Sequence, residues 1–363
     1  MNSDWIEFDF HGLATLKVAN DAPTASQLRD MFAPFLSSDL GAPDIVVTGD
    51  TVPVPTLSKG DEEYEYSDDS LYIRATGVQI LRRDGAFHVN GTRELLTAVL
   101  PILDLVMIDR QAAMIHAATV RLGNTGICMP AWGGVGKTST VAKLMKREGA
   151  SFLGDDWAFL TSDGNILGFH KPMFIKPHHR PIYPHLFANT HKPLIPSRLS
   201  HRVARLTTIV HPFVTRFPRV AGVSRRWSPE HMMVRPHDAF PAVPMGTRAP
   251  LDVMVFVERS YGSHPSLVEK DRSWMVDRVL GNFHAELSLS SRELLTAMAA
   301  TGMISPSTLF ARKASIVRDA IGDLRTHLLQ VPVEMSADQA SDVIVSHLLA
   351  IAEQHGRLSA DAR

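Results

Sequence analysis

Three features of the sequence predict an α/β fold preceded by an N-terminal α+β unit. Short alternating apolar and polar segments fill the first ninety residues. A buried strand, a glycine-rich loop and a helix then succeed one another between 126 and 149. A second buried strand, LDVMVFVER at 251–259, leads into a helical C-terminal part.

The N-terminal unit spans 1–91. WIEFDF, ATLKV, DIVVTG, SLYIRA, VQILRR and AFHVNG read as extended runs, with one helical stretch near Thr24–Leu36, which predicts a mostly antiparallel arrangement. Gly91 and Thr92 open a connecting helix over 92–111, which Pro101 is expected to kink. The core spans 112–330. MIHAATV is a strand, LGNTG a turn, and GICMP a short buried strand running into AWGGVGKT. Val141, Leu144 and Met145 have helical spacing, and Gly149 marks a stop. SFLG forms another strand ahead of Asp155 and Asp156, placed beside the loop by a parallel sheet, and SDGN at 162–165 turns into NILGF. Residues 171–250 are rich in Pro, His and basic residues and predict an irregular excursion from the core and not a separate domain. Helices follow over Ser290–Thr301 and Ser305–Leu329, the second with Ser305 as cap and Pro306 at its first position. A C-terminal strand and helix complete the chain over 331–363, the helix opened by a Ser336/Gln339 capping box and running to about Gln354.

A chain of 363 residues exceeds what one hydrophobic core usually serves, so two structural units are expected. Its 45% hydrophobic and 21% charged residues match an ordinary globular protein. Cys128 is the single cysteine, which excludes an intramolecular disulfide or a cysteine-built zinc site and suits a reducing cytosol. MNSDWIEFDF lacks a signal-peptide pattern, and the apolar run Leu95–Ile108 contains Pro101 and Asp104, so a cytoplasmic protein without a membrane span is expected. The net charge of -1 gives no reason to expect a nucleic-acid partner, and assembly into a homo-oligomer is left open. Charge is nevertheless sorted along the chain: Met1–Ala75 holds fourteen acidic residues against four Lys or Arg, and Lys171–Arg235 holds twelve Lys or Arg against Glu230 alone. That basic stretch suits a lid that gathers phosphate or an anionic substrate, with Arg225 and Arg226 as leading candidates and Arg180 and Lys176 as alternatives. The competing expectation is that the acidic front half docks onto it.

The chemistry centres on Ala131-Trp132-Gly133-Gly134-Val135-Gly136-Lys137-Thr138, followed by Ser139. Between a strand and a helix, such a loop lets backbone N–H groups curl around an anion. Lys137 adds a point charge and Thr138 a hydroxyl for Mg²⁺. Ala131 replaces the first glycine of the pattern, so the chain must enter the loop with an ordinary dihedral. Asp155 and Asp156 lie eighteen and nineteen residues beyond Lys137, and adjacent carboxylates there can divide the work of holding a cation and accepting a proton. His116, in an apolar strand of the same sheet, is either a core residue or a partner of these carboxylates. The histidines at 170, 178, 179, 185, 191, 201 and 211 lack the spacing of a zinc motif.

IHAATV, AWGGVGKTST and FLGDDWAFL together resemble the catalytic core of HPr kinase/phosphorylase and its relatives, which share a P-loop fold with ATP-type phosphoenolpyruvate carboxykinases. The resemblance covers about 112–170 and, more loosely, LDVMVFVER and the later helices. It implies a P-loop kinase core and a phosphoryl donor, ATP or another NTP, bound with Mg²⁺. It further implies that Lys137 and Thr138 hold phosphates and metal, that Asp155 is the base towards an acceptor hydroxyl supported by His116, and that Asp156 lies near the metal. The acidic N-terminal unit and the basic excursion have no counterpart in it, which implies a specialised relative. The acceptor is then a small molecule or a peptide or protein serine. The alternative is a nucleotide-binding regulatory module without phosphotransfer. A carboxykinase-like activity would need further carboxylate- and metal-binding residues.

Overall fold

The computed structural model of the chain describes residues 4–38, 40–53, 57–59, 63–91, 95–176, 179–188 and 232–361. Met1–Lys171 and Val243–Arg363 form one unit, and Pro172–Ala242 forms another.

In the first unit, period-two burial makes the N-terminal strands. β1 (Trp5–Phe10) buries Ile6, Phe8 and Phe10, and β2 (Ala14–Ala19) buries Ala14, Leu16 and Val18. After α1 (Ala25–Met31) come β3 (Leu36–Ser37), β4 (Ile45–Thr48), β5 (Leu57–Lys59), β6 (Tyr64–Ser67), β7 (Ser70–Ile73), β8 (Val78–Arg83) and β9 (Ala86–Gly91). The sheet order is β3-β1-β2-β4-β9-β8-β7-β6-β5, antiparallel except for the pairings of β4 with β2 and with β9. α2 (Leu95–Asp109) keeps its helical course with Pro101 inside it. Its apolar residues Val99, Ile102, Leu103 and Met107 share one buried cluster with Phe8, Phe10, Phe32, Phe159 and Phe169. The N-terminal sheet and the core that follows are therefore joined by continuous packing.

The second sheet contains β10 (Ala112–Leu122), β11 (Thr125–Pro130), β12 (Ala150–Gly154), β13 (Trp157–Thr161) and β14 (Asn165–Leu167). The chain returns to it with β17 (Arg248–Pro250), β18 (Val253–Ser260), β19 (Ser266–Lys270) and β20 (Thr326–Pro332). The order is β17-β14-β13-β10-β11-β18-β20-β19, with β12 also on β10. Only β11, β18 and β20 run parallel. α3 (Lys137–Leu144) leaves the carboxyl end of β11. The described part of the second unit contributes the antiparallel pair β15 (Met173–Ile175) and β16 (Met232–Val234) and the one-turn α4 (Pro236–Ala239).

Four longer helices complete the first unit: α5 (Arg272–Glu286), α6 (Leu289–Ala300), α7 (Pro306–Ile321) and α8 (Ala337–Asp361). α5 is absent from the sequence-based expectation. Asp271 caps it by accepting from Trp274 N, and Met275, Val276, Val279, Asn282 and Phe283 form its buried face. α6 and α7 match the expected helices at their starts, with Ser305 capping α7. The expected continuation of that helix to Leu329 is incorrect. Gly322, with φ of 51°, ends α7 at Ile321, and THLLQVP becomes β20, whose burial suits a strand flanked on both edges. The C-terminal strand accordingly begins at Thr326, before the expected 331. The Ser336/Gln339 capping box is formed in both directions, at 3.0 and 3.2 Å.

A buried ion pair ties these layers together. Lys313 of α7 reaches Asp104 of α2 at 2.6 Å, and the other Asp104 oxygen accepts from Met114 N at 2.8 Å, at the start of β10. Burial lowers the Lys313 ammonium pKa to about 8 against the opposing pull of Asp104. Lys313→Met removes one partner and leaves a buried carboxylate uncompensated, so urea unfolding should show a loss of about 3–5 kcal/mol. A loss below about 1 kcal/mol, the range of an exposed pair, would show that the pair does not hold α2 to α7.

Candidate functional site

The central stretch of β10 sets the site. On one edge β10 pairs with β11 as Ala117↔Pro130, which places His116 opposite Ala131, the first residue of the glycine-rich loop. On the other edge Thr119 pairs with Gly154 and His116 with Trp157, so Asp155 and Asp156 lie opposite Ala118 and Ala117. This corrects the sequence expectation: the aspartates follow a strand antiparallel to its neighbour, not a parallel one. The ladder is reduced there to Ala117 N donating to Asp156 O at 3.1 Å. The chain buckles at Gly154, where an added Cβ would stand 2.6 Å from Trp157 O.

The loop takes its left-handed bends at Gly134 and Gly136, with φ of 82° and 111°, while Ala131 has no positive φ. Gly136 caps α3, so the first N–H groups of that helix open towards the loop. Ala131, Val135 and Ser139 are buried, and half-buried Trp132 meets Phe256 edge-on at 6.2 Å. Gly133 N donates to the carboxylate of Glu286, the last residue of α5, at 2.8 Å. An internal carboxylate thus takes a loop donor of the kind that binds anions.

Lys137 is buried beneath the loop and donates to Ala131 O at 2.7 Å and Trp132 O at 3.2 Å. Burial lowers its pKa against the raising charges of Asp156, Asp155 and Glu286. Thr138 donates its hydroxyl to Asp155 Oδ2 at 3.0 Å. Asp155 Oδ1 is buried and, among the described residues, has no hydrogen-bond partner. Asp156 instead meets His116 Nε2 through Oδ1 and Lys171 Nζ through Oδ2, both at 2.8 Å.

The aspartates therefore diverge at the bend between β12 and β13, Asp155 towards Thr138 and Asp156 towards His116 and Lys171. His116 joins Asp156, whereas the sequence reading has it supporting Asp155. Their protonation diverges too. Burial, reinforced by the Asp156 charge, pushes the Asp155 carboxyl up to about 6 against the Thr138 hydroxyl and the two lysines. Burial acts upward on Asp156 as well, but the His116 hydrogen bond and the Lys171 ammonium hold it far below the ordinary carboxylate range.

Three residues of this arrangement escaped the sequence reading as site residues: Lys171, Glu286 and Asn282. Asn282 is fully buried and donates Nδ2 to His116 O at 2.9 Å and to His116 Nδ1 at 3.2 Å. Its signal in the sequence is weak, a polar residue on the apolar face of a helix that carries Gly281. Arg225 and Arg226 lie outside the described residues. Arg180 places its guanidinium over Phe187 within the second unit, where Lys176 N approaches His179 Nδ1 at 3.3 Å. Among the described residues, no group of three or more His, Cys, Asp or Glu is gathered as a metal site. No described helix is long and apolar enough to cross a membrane.

The pKa of Asp155 makes a stability prediction with a definite sign. Its folded-state value lies above the ordinary 3.8, so between about pH 4 and 6 the folded chain holds more protons than the unfolded chain, and this group's contribution falls as pH rises. Asp155→Asn removes the cost of a buried charge. The variant should match the wild type below pH 4 and exceed it by about 1–3 kcal/mol above pH 6 in chemical denaturation. A constant difference across that range would place the carboxyl in a solvated setting. No protein-family model matches the chain and no curated protein gives a significant match, so a reading of this site stands on its geometry.

Proposed function

We propose that the chain is a Mg²⁺-dependent phosphotransferase that moves the terminal phosphoryl group of ATP or another NTP to a hydroxyl. Its second sheet would then be a P-loop kinase core of the HPr kinase and carboxykinase type. The observation that carries the reading is the meeting of a glycine-rich loop with two aspartates of opposite protonation tendency, joined through Lys137, Thr138 and His116.

The residues present fit both implied groups. Gly134 and Gly136 bend the loop through positive φ, the conformation that lets successive backbone N–H groups turn towards one anion. The loop N–H groups, the start of α3 and Lys137 would hold the phosphates. The Thr138 hydroxyl and, on exchange of its Lys171 contact, the ionised Asp156 would supply oxygens for Mg²⁺, which binds through few protein carboxylates and the phosphates themselves. When bound, the ion would neutralise charge on the phosphoryl oxygens. Asp155 serves the proton. With a pKa raised to about 6 and an Oδ1 that has no hydrogen-bond partner among the described residues, it would accept the proton of the attacking hydroxyl as the new P–O bond forms and the nucleoside diphosphate leaves with its electron pair.

Catalysis of this kind is mainly positioning and charge neutralisation, which agrees with the density of fixed charges around β10. The test uses terminally labelled ATP, MgCl₂ and fractionated cell extract of small molecules and peptides. The wild type should transfer label to a hydroxyl-bearing product. Asp155→Asn should lower transfer by about 10²- to 10⁴-fold with ATP affinity retained, and Lys137→Ala should lower it by about 10²-fold or more. Tight ATP binding with no transfer to any fraction would instead assign the site to a nucleotide-binding regulatory module.

A further inference from the structure

The loop and the aspartates are linked by a side chain that the reaction does not touch. Asn282 sits on the buried face of α5, between the carbonyls of His116 and Ala131 and the His116 ring. Its orientation follows from its neighbours. The amide group facing His116 O at 2.9 Å and Ala131 O at 3.4 Å must be the NH₂, because an oxygen there would face two carbonyl oxygens. That same NH₂ lies 3.2 Å from His116 Nδ1, which must therefore accept. The ring hydrogen is left on Nε2, which points at Asp156 Oδ1 at 2.8 Å. In this tautomer the 3.4 Å approach of Lys137 Nζ to His116 Nε2 is a close polar contact and not a hydrogen bond, which leaves Lys137 to the loop carbonyls.

The orientation has a cost that packing alone does not explain. Asn282 Oδ1 is buried without a hydrogen-bond partner among the described residues, on a face where an apolar residue would satisfy the helix. A half-satisfied buried polar group in a native structure calls for a reason other than packing, and here the satisfied half faces His116.

We infer that Asn282 is a positioning residue which fixes His116 as the Nε2–H tautomer and thereby holds Asp156 in place beside the base. The inference rests on the phosphotransferase reading for its consequence, but not for its geometry. Through His116 and Asp156, α5 orients a carboxylate that it does not touch. Asp155 is left as the acid-base group with a free oxygen. Lys171 holds the second Asp156 oxygen, so the carboxylate is fixed from two sides.

The test is ¹⁵N NMR of the full chain labelled at histidine, with the His116 signals identified by their loss in His116→Gln. The expected wild-type spectrum shows His116 protonated at Nε2 and bare at Nδ1. Asn282→Asp offers only an acceptor to Nδ1 and should move the proton there. It should also lower kcat for label transfer by about 10- to 100-fold with little change in KM for ATP, by analogy with the outer-shell partners that orient metal-ligating histidines. Asn282→Gln keeps the amide donor and should retain the Nε2–H signature and most of kcat. It also serves as the readout if Asn282→Asp fails to fold. A wild-type His116 protonated at Nδ1, or an unchanged tautomer in Asn282→Asp, overturns the inference. So does a moved tautomer with unchanged kcat. Failure of phosphotransfer itself appears differently, as absence of transfer in the wild type with the NMR signature intact.

Discussion

The hydrogen-bonding of β10 on both edges holds the site together, because His116 and Ala117 are held between two parts of the chain that would otherwise be independent. One edge fixes where the glycine-rich loop begins, and the other fixes where the aspartates leave their ladder. The registers place Ala131 and Trp157 at the same level of the sheet, on either side of His116. Across that level Asp156 from one edge and Lys137 from the other both approach His116. The buried Lys313–Asp104 pair extends the constraint outward, since Asp104 also accepts from Met114 N near the start of β10.

Charge within this frame is arranged by burial as much as by proximity. Lys137, Lys171, Asp155 and Asp156 occupy one neighbourhood, and low dielectric strengthens each interaction among them. Asp156 receives two charge-assisted contacts and stays an anion, while Asp155 receives one hydroxyl and carries the repulsion of its neighbour. Two identical side chains one residue apart thus acquire different tendencies, which is the usual requirement for one group to hold charge and another to move a proton. Glu286 on Gly133 N belongs to the same balance, since its carboxylate adds a third acid beside the buried Lys137.

Much of this was legible in local sequence. The glycine-rich loop declared itself because its chemistry is written in consecutive residues, and the Ser336/Gln339 box because both partners lie within one turn. β20 was misread because HLLQV is apolar without a distinctive period, and the break at 322–325 is marked locally only by Gly322 with its positive φ. The pairing of His116 with Asp156 was not legible for another reason: which of two adjacent carboxylates faces a third residue depends on the parity of the register. Asn282 lies 166 positions from its partner, so no local pattern reveals the contact. A polar residue at an apolar helical position was the available trace, and it was hidden because α5 itself was not recognised.

The central claim is that the loop receives the phosphates and presents the terminal one to the Asp155–Asp156 corner. A crystal structure with a non-hydrolysable ATP analogue and Mg²⁺ tests it most directly. The account predicts phosphate oxygens on the backbone N–H groups from Gly133 to Lys137, Lys137 Nζ turned from the Ala131 carbonyl to the phosphates, and Glu286 released from Gly133 N. The metal should lie between Thr138 and the aspartates. A nucleotide bound elsewhere, with Glu286 still on Gly133 and Lys137 still on Ala131 O, would contradict it.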